Sequence, residues 1–334
     1  MIKTLIVDDS SLVRSIIRDF LESDGSFEII GEAGNGLEGV AKARELAPDL
    51  ITMDIEMPVM NGLEAIGEIK KVLSTAIVVI STHDTAKMAY DATVRGALEF
   101  FAKDMFTSQM SEQHREKILS TLKQISGIKK RVPVIKENMQ QESVDARKIN
   151  AVVIASSTGG PNALCQIFSA LPKDFPVPII LVQHNISGFD LGLVQWLDAC
   201  TPLSVCLATE GTIPVSGKIY VAPTDKHLIV GNAGLAFDGS EPINSQKPAA
   251  DVLFKSAAGL YGRCLVSLVL TGMGYDGAEG TRHVKQADGI TIAQDEATSM
   301  IYGMPQAAIE TGCVDIVLPL GTVAQRLMTL AKGE

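Results

Sequence analysis

The sequence predicts an α/β protein made of two doubly wound domains, each with a parallel sheet between layers of helices. Three observations support this prediction. The chain has 334 residues, which is long for one hydrophobic core, and 46% of them are hydrophobic. Short apolar runs alternate with segments of helical periodicity in both halves of the chain. A polar stretch with few large apolar side chains, 127–148, separates the two halves and is predicted to be a linker.

Five pairs of a strand and a helix are predicted in the first domain, residues 1–126. The strands are short and almost continuously apolar, as expected where helices cover both faces of a parallel sheet. The predicted strands are 4–7, 27–32, 50–53, 77–80 and 99–102, and the predicted helices are 12–21, 37–46, 62–73, 86–94 and 110–125.

The second domain, residues 149–334, is predicted to have the same architecture. Its first strand is followed by a helix from Pro161, a residue whose fixed φ and missing N–H suit the first helical turn. The predicted strands are 151–155, 178–183, 218–222 and 264–270, and a clear helical segment is 247–259.

Composition excludes several classes of protein. The formal net charge of −10 argues against nucleic acid as the main partner. No apolar stretch approaches the roughly 18 residues of a membrane span, and the N-terminus reaches two carboxylates too early for a signal peptide. We therefore expect a cytoplasmic protein without direct membrane insertion. The five cysteines contain no C-x-x-C pair and are expected to be buried thiols.

Polar residues follow four predicted strands of the first domain. Asp8 and Asp9 follow the first strand, Asp54 the third, Ser81 the fourth and Lys103 the fifth. Ligands bind at the carboxyl ends of parallel strands, so these side chains should converge. Converging carboxylates repel one another unless a cation compensates, and oxygen ligands suit Mg²⁺. A carboxylate there can attack a phosphoryl donor, with lysine neutralising charge and serine donating a hydrogen bond.

This arrangement resembles the receiver domain of two-component response regulators. The matching segments are Val-Asp-Asp-Ser at 7–10 and Met-Asp-Ile-Glu-Met-Pro-Val-Met-Asn-Gly at 53–62. The resemblance implies that Asp54 is the phosphoacceptor. It also implies a Mg²⁺ site and three switch positions. The metal residues are Asp8, Asp9, Asp54 and Glu56, the last through its carbonyl, and the switch residues are Ser81, Lys103 and Phe100.

Two residues depart from the receiver pattern. Asp104 follows the lysine where the family usually has proline, so the usual cis bond that aims the lysine cannot be assumed. Phe100 lacks the hydroxyl of a tyrosine.

A competing motif, the G-x-G-x-x-G of 34–39, is a weak signal for dinucleotide binding because it follows the second strand. We interpret its glycines as turn and packing residues.

A serine, a histidine and an aspartate follow three predicted strands of the second domain. Ser157 lies in Ala-Ser-Ser-Thr-Gly-Gly-Pro at 155–161, His184 follows the strand at 178–182, and Asp276 lies in a glycine-rich turn after 264–270. Taken singly, each residue has a structural explanation, such as a helix cap or a turn. Together they favour an acyl-transfer triad, with glycine amides approaching the oxyanion. The other histidines show no zinc-ligand spacing.

The chain order Ser, His, Asp matches neither the α/β-hydrolases nor chymotrypsin nor subtilisin, and no G-x-S-x-G elbow is present. The order and motifs resemble the catalytic domain of chemotaxis protein-glutamate methylesterases of the CheB type. The segments that carry the resemblance are Ser-Thr-Gly-Gly at 157–160, Gln-His at 183–184, Tyr-Val-Ala-Pro-Thr-Asp-Lys-His at 220–227, Asp-Val-Leu-Phe-Lys-Ser at 251–256, Leu-Thr-Gly-Met-Gly-Tyr-Asp-Gly at 270–277 and Thr-Ile-Ala-Gln-Asp-Glu-Ala at 291–297.

The resemblance implies a phosphorylation-activated serine hydrolase that demethylates glutamate γ-methyl esters on chemotaxis receptors and deamidates selected glutamines. It implies a chemotaxis histidine kinase as phosphodonor and no cofactor for the esterase. Backbone amides of Met273 and Thr158 are the expected oxyanion donors. One alternative is a phospho-dependent binding protein with a catalytically idle second domain. Another is a general serine peptidase.

Overall fold

The computed structural model describes residues 1–82, 86–106, 110–127, 148–185 and 187–333. The chain divides into two compact units, Met1–Arg131 and Val132–Glu334. Each unit contains a parallel sheet with helices, which confirms the predicted α/β class. The predicted linker at 127–148 lies outside the described residues except at its two ends, and the domain boundaries stay predictions.

The first unit is a five-stranded parallel sheet in the order β2-β1-β3-β4-β5. Its strands are β1 Ile2–Val7, β2 Phe27–Ala33, β3 Leu50–Met53, β4 Ala76–Ser81 and β5 Glu99–Ala102. Its helices are α1 Ser11–Glu22, α2 Gly36–Leu46, α3 Gly62–Lys70, α4 Ala86–Val94 and α5 Glu112–Ser126. Asn35 and Asn61 begin two of these helices by accepting the amide three residues on, at 2.9 Å in both cases. Such a cap is worth about 1 kcal/mol.

The second unit is a seven-stranded parallel sheet in the order β14-β13-β12-β6-β7-β9-β8. Its strands are β6 Ala151–Ser156, β7 Ile179–Gln183, β8 Ser204–Leu207, β9 Lys218–Val221, β12 Leu265–Val269, β13 Ile290–Gln294 and β14 Ile316–Leu318. Its helices are α6 Gly160–Ser169, α7 Asp190–Cys200, α8 Ala250–Tyr261, α9 Ala278–Gln286, α10 Met304–Glu310 and α11 Leu320–Lys332. The separate antiparallel hairpin of β10 His227–Gly231 and β11 Gly234–Asp238 was not predicted.

The central strand β6 marks the point where the chain reverses direction across this sheet. From β6 the chain builds β7, β8 and β9 on one side and then crosses to β12 on the other. Such a reversal opens a crevice at the carboxyl ends of the strands, where ligands bind in open α/β sheets. The fold therefore directs the ends of β6, β7 and β12 towards one site.

Two expectations about individual side chains have different outcomes. The expectation of buried thiols is wrong, because all five cysteines are free and partly exposed. Cys200 ends α7 and Cys206 lies on the edge strand β8, where helices cannot cover them fully. The glycines of 34–39 do have packing roles. A Cβ on Gly36 would lie 2.5 Å from the Met60 carbonyl oxygen, and one on Gly39 would lie 2.9 Å from Val7 Cγ1.

In the described part of the chain, no helix combines the length and the apolar character that crossing a bilayer requires.

Candidate active site and receiver site

Strand pairing brings Ser157 and His184 next to each other. The last paired residues of β6 and β7 are Ser156 and Gln183, and the His184 amide donates to the Ser156 carbonyl at 2.9 Å. Ser157 and His184 are therefore the first residues beyond two neighbouring strands, which lie about 4.8 Å apart in a sheet. The register of one strand pair sets the spacing of the predicted nucleophile and its predicted base.

The turn at Ser157 is fixed by backbone hydrogen bonds. The Ser157 amide donates to the Thr271 carbonyl at 3.1 Å, and the Gly160 amide donates to the Ser157 carbonyl at 2.7 Å. Gly159 has φ +78°, which favours glycine. The Gly160 amide is thus used inside the turn. The expectation that Gly159 and Gly160 let backbone amides approach an oxyanion stays a prediction.

The side chain of Gln183 connects the ends of β6 and β7. Its Nε2 donates to the carbonyls of Ser157 at 3.0 Å and His184 at 2.8 Å. Its Oε1 accepts from the buried Ser156 hydroxyl at 2.7 Å. A Cβ on Gly160 would lie 2.1 Å from that Oε1. Sequence reasoning missed this contact, although an amide side chain at the end of an apolar strand was its visible signal.

Asp276 reaches the same site from the other side of β6. It lies in the turn between β12 and α9, is buried, and its Oδ2 is 2.7 Å from His184 Nε2. The second imidazole nitrogen, Nδ1, is also buried and has no hydrogen-bond partner among the described residues. One imidazole nitrogen is therefore bound to the Asp276 carboxylate, and the other is not used by the described residues.

Burial raises the pKa of Asp276, but its hydrogen bonds more than offset this. The partners are His184 and the amides of Ala250, at 2.6 Å, and Asp251, at 3.0 Å, so the pKa lies below its ordinary value. The carboxyl group is an anion at neutral pH. An anion in this position holds the imidazole ring and stabilises its charged form.

The two expected oxyanion donors flank Ser157. Met273 lies in the turn after β12, and a Cβ on the preceding Gly272 would lie 2.8 Å from Ser157 Cβ. This turn therefore packs directly on Ser157. The amide of Thr158 donates to no acceptor within the described ranges of the chain. Their role as oxyanion donors stays a prediction.

The first unit brings together the acidic residues and the lysine at the carboxyl edge of its sheet. Asp8 and Asp54 are buried, Asp9 is exposed, and ligand oxygens of the three carboxylates lie within 4.8 Å of one another. Lys103 Nζ donates to Asp54 Oδ2 at 2.7 Å and lies 2.8 Å from Asp8 Oδ2. Three hard oxygen donors of this kind fit Mg²⁺. Glu56 lies two residues beyond Asp54 and is exposed.

Burial, opposed by Lys103 and reinforced by the charge of Asp8, raises the pKa of Asp54 to about 6. The Lys103–Asp104 peptide bond is trans, since it is not among the cis bonds of the described chain. Lys103 still contacts Asp54. Aspartate in place of the usual proline therefore does not prevent this contact.

Ser81 is buried at the end of β4. Phe100 packs edge-on against Tyr90, with ring centroids 4.9 Å apart.

Two family models match this chain, one for each domain. The CheB methylesterase family model matches residues 152–327, and the response regulator receiver domain model matches residues 4–115. The chain belongs to the CheB methylesterase family. It is thus a methylesterase-class enzyme that carries a receiver domain.

Several relatives match almost the whole chain. They are named protein-glutamate methylesterase/protein-glutamine glutaminase. The one from Clostridium acetobutylicum is 39% identical and covers 99% of this chain and 98% of its own. The one from Pyrococcus horikoshii is 38% identical and covers 98% and 93%. The crystal structure of the Thermotoga maritima CheB methylesterase catalytic domain is 40% identical, with a TM-score of 0.53. It matches 55% of this chain and all of its own.

Gly160→Ala should damage the catalytic domain, because the new methyl group would collide with the Gln183 side chain. We expect a stability loss of about 1–3 kcal/mol together with loss of esterase activity. Gly259→Ala is the matched control, since a Cβ there meets nothing within 4 Å, and it should be neutral or stabilising. Thermal unfolding and turnover of both variants check this prediction. Equal behaviour of the two would contradict it.

Mg²⁺ should stabilise the first domain more at pH 8 than at pH 5. The pKa of Asp54 is raised in the folded chain to about 6 from an ordinary value of 3.8. Its contribution to stability is therefore fully present below pH 3.8 and is lost as pH rises through about 6. A cation favours the charged carboxylate and offsets that loss. At ten times its Kd the metal adds about 1.4 kcal/mol, or about 4–8 °C in the unfolding temperature.

Thermal unfolding with and without MgCl₂ at both pH values measures this effect. Asp54→Asn should reduce the shift at pH 8, whereas the exposed Asp19→Asn should keep it. Equal metal shifts at the two pH values, or in the two variants, would rule out the predicted site.

Proposed function

We propose that the second domain is a serine hydrolase for γ-glutamyl methyl esters in proteins, with Ser157, His184 and Asp276 as its triad. The observation that carries the proposal is the imidazole of His184, which binds Asp276 through Nε2 at the strand end beside Ser157. Its Nδ1 is buried and has no hydrogen-bond partner in the part of the chain that the structure describes. The names of the full-length relatives support the choice of substrate.

In the first step, His184 Nδ1 removes the Ser157 hydroxyl proton while Oγ attacks the ester carbonyl carbon. The carbonyl oxygen becomes an oxyanion, which the amides of Met273 and Thr158 stabilise. Asp276 stabilises the imidazolium formed at the same moment. The imidazolium then protonates the methoxy group, and methanol leaves as the glutamyl ester of Ser157 forms.

In the second step, water replaces serine as the nucleophile. His184 removes a proton from water while the water oxygen attacks the carbonyl carbon of the glutamyl ester. The resulting oxyanion then collapses, and Ser157 leaves with the proton held by the imidazolium. The products are a glutamate side chain and the free enzyme. A glutamine amide reacts through the same steps with ammonia as the leaving group, and the relatives named glutaminase support this second activity.

For the first domain we propose phosphorylation of Asp54 by a chemotaxis histidine kinase. Asp8, Asp9, Asp54 and the Glu56 carbonyl would hold Mg²⁺, which shields the negative charge of the phosphoryl group during transfer. The Lys103 ammonium lies within 2.7 Å of the acceptor carboxylate and neutralises further charge. Ser81 and Phe100 would report phosphorylation to the rest of the domain.

The joint proposal is a cytoplasmic enzyme that demethylates chemotaxis receptors when its receiver is phosphorylated, giving sensory adaptation. A receiver fused to a hydrolase needs only a few kcal/mol of bias between two states to control the reaction. The alternative is a phospho-dependent binding protein with an idle second domain. The hydrogen bonds to Asp276 argue against a catalytically idle second domain, because they hold a buried carboxylate charged beside His184.

Ser157→Ala should lower methanol release from methylated receptor membranes by at least about 10³-fold, because the nucleophile is removed. Ser156→Ala is the matched control. It removes only the hydrogen bond to Gln183, a loss of about 1 kcal/mol, so activity should fall less than about tenfold. Similar losses in the two variants would contradict the assignment of the nucleophile.

Asp54→Asn should abolish the increase in methanol release that a small-molecule phosphodonor causes, while basal turnover stays. Asp49→Asn is the control. Asp49 precedes β3, accepts from the Lys3 amide and lies at the opposite end of the strand from Asp54, so this variant should keep the response. Equal rates of the wild-type protein with and without phosphodonor would defeat the regulatory proposal.

A further inference from the structure

A second carboxylate, Asp251, lies beside the proposed catalytic acid. It is the second residue of α8, and its side chain is buried. Its Oδ1 accepts hydrogen bonds from the amides of Gly277 at 2.9 Å and Gly280 at 2.7 Å. Both amides belong to the start of α9, directly after Asp276.

The two carboxylates bind the start of each other's helix. Asp276 accepts from the amides of Ala250 and Asp251 at the start of α8, while Asp251 accepts from the amides that begin α9. Anions are stabilised at helix N-termini because unpaired amides point at them. Movement of the Asp251 carboxylate therefore frees the amides that begin α9, directly after Asp276, and the position of Asp276 depends on Asp251.

Close contact between α8 and α9 makes this exchange possible. A Cβ on Gly280 would lie 2.6 Å from Phe254 Cβ and 3.1 Å from the Asp251 Cα. Only glycine allows the Gly280 amide to approach the Asp251 carboxylate so closely. The pairing is thus a property of the helix interface and not of a flexible surface loop.

The proximity of two buried anions has an electrostatic consequence. Burial, and then the charge of Asp276, raises the pKa of Asp251 to about 6. Asp251 also lines an open groove of about 850 Å³, and the other titratable groups that line it come from α8, α9, the hairpin and the turn before α9. They are Lys255, Glu279, His283, Asp238 and Tyr275. On the buried side, His227 Nδ1 accepts the Ala249 amide at 3.0 Å.

We propose that Asp251 is a positioning residue for the catalytic acid: by accepting the amides that begin α9, it fixes the turn that holds Asp276 against His184. The inference rests on the proposed function only in so far as Ser157, His184 and Asp276 carry the reaction. It assigns a role to a residue that touches neither substrate nor imidazole.

The proposal predicts a loss in kcat that depends on the acceptor oxygen at position 251. Asp251→Ala removes the acceptor for the Gly277 and Gly280 amides, so Asp276 is no longer held against His184. Its kcat should fall at least about tenfold, while KM should stay within about twofold, because Asp251 does not contact substrate. Asp251→Asn keeps an oxygen acceptor for the same amides and should keep kcat within about threefold of the wild-type value.

Methanol release by the full-length protein, measured over a range of substrate concentrations at neutral pH, separates kcat from KM. Thermal unfolding of each variant is measured alongside. Asp315→Asn is the matched control, because Asp315 holds the Thr291 amide at 2.9 Å, away from the triad, and its kcat and KM should not change.

A folded Asp251→Ala protein that keeps the wild-type kcat, or that loses activity only through KM, would overturn the inference. If Asp251→Ala does not fold, Asp251→Ser replaces it with the same expected loss, because its shorter side chain cannot reach both amides. An Asp251→Asn protein that loses as much kcat as these variants would also overturn the inference. Failure of the proposed function is distinguishable, since it appears as undiminished turnover in Ser157→Ala.

Discussion

The pairing of β6 with β7 is the interaction on which the catalytic site depends. Because Ser156 pairs with Gln183, the next residue on each strand is a catalytic candidate. Gln183 then holds the carbonyls of both Ser157 and His184. A slip of one residue in this pairing would separate the serine from the imidazole and turn Gln183 to the other face of the sheet. The register of a buried strand pair and the geometry of catalysis are thus the same constraint.

Both domains bury carboxylates at the carboxyl edge of a parallel sheet, and they compensate the charge differently. In the first domain the Lys103 ammonium lies between Asp8 and Asp54, and the remaining negative charge suits a divalent cation. In the second domain backbone amides bind Asp251 and Asp276, and the imidazole of His184 contacts Asp276 from the other side. A mobile cation suits a reversible phosphorylation site, whereas fixed amides suit a carboxylate that must stay charged and in place.

The sequence predicts much of this structure because its signals are local. Apolar runs followed by Ser157, His184 and Asp54 place each side chain at a strand end, and the parallel sheet brings those ends together. Gln183 and Asp251 were not predicted as parts of the site. Their partners lie at other strand ends and helix starts, so only the three-dimensional packing of β6 on β7 and of α8 on α9 reveals them. The β10–β11 hairpin was missed because its short strands do not alternate with helices as the other strands do.

The central claim is that His184, held by Asp276, activates Ser157. Covalent labelling of the full-length protein with a fluorophosphonate, followed by peptide mapping, tests it most directly. The account predicts a single label on Ser157, none on the adjacent Ser156, and strongly reduced labelling in a His184→Gln variant that is folded normally. A label on another residue, or undiminished labelling of Ser157 in His184→Gln, would contradict the account.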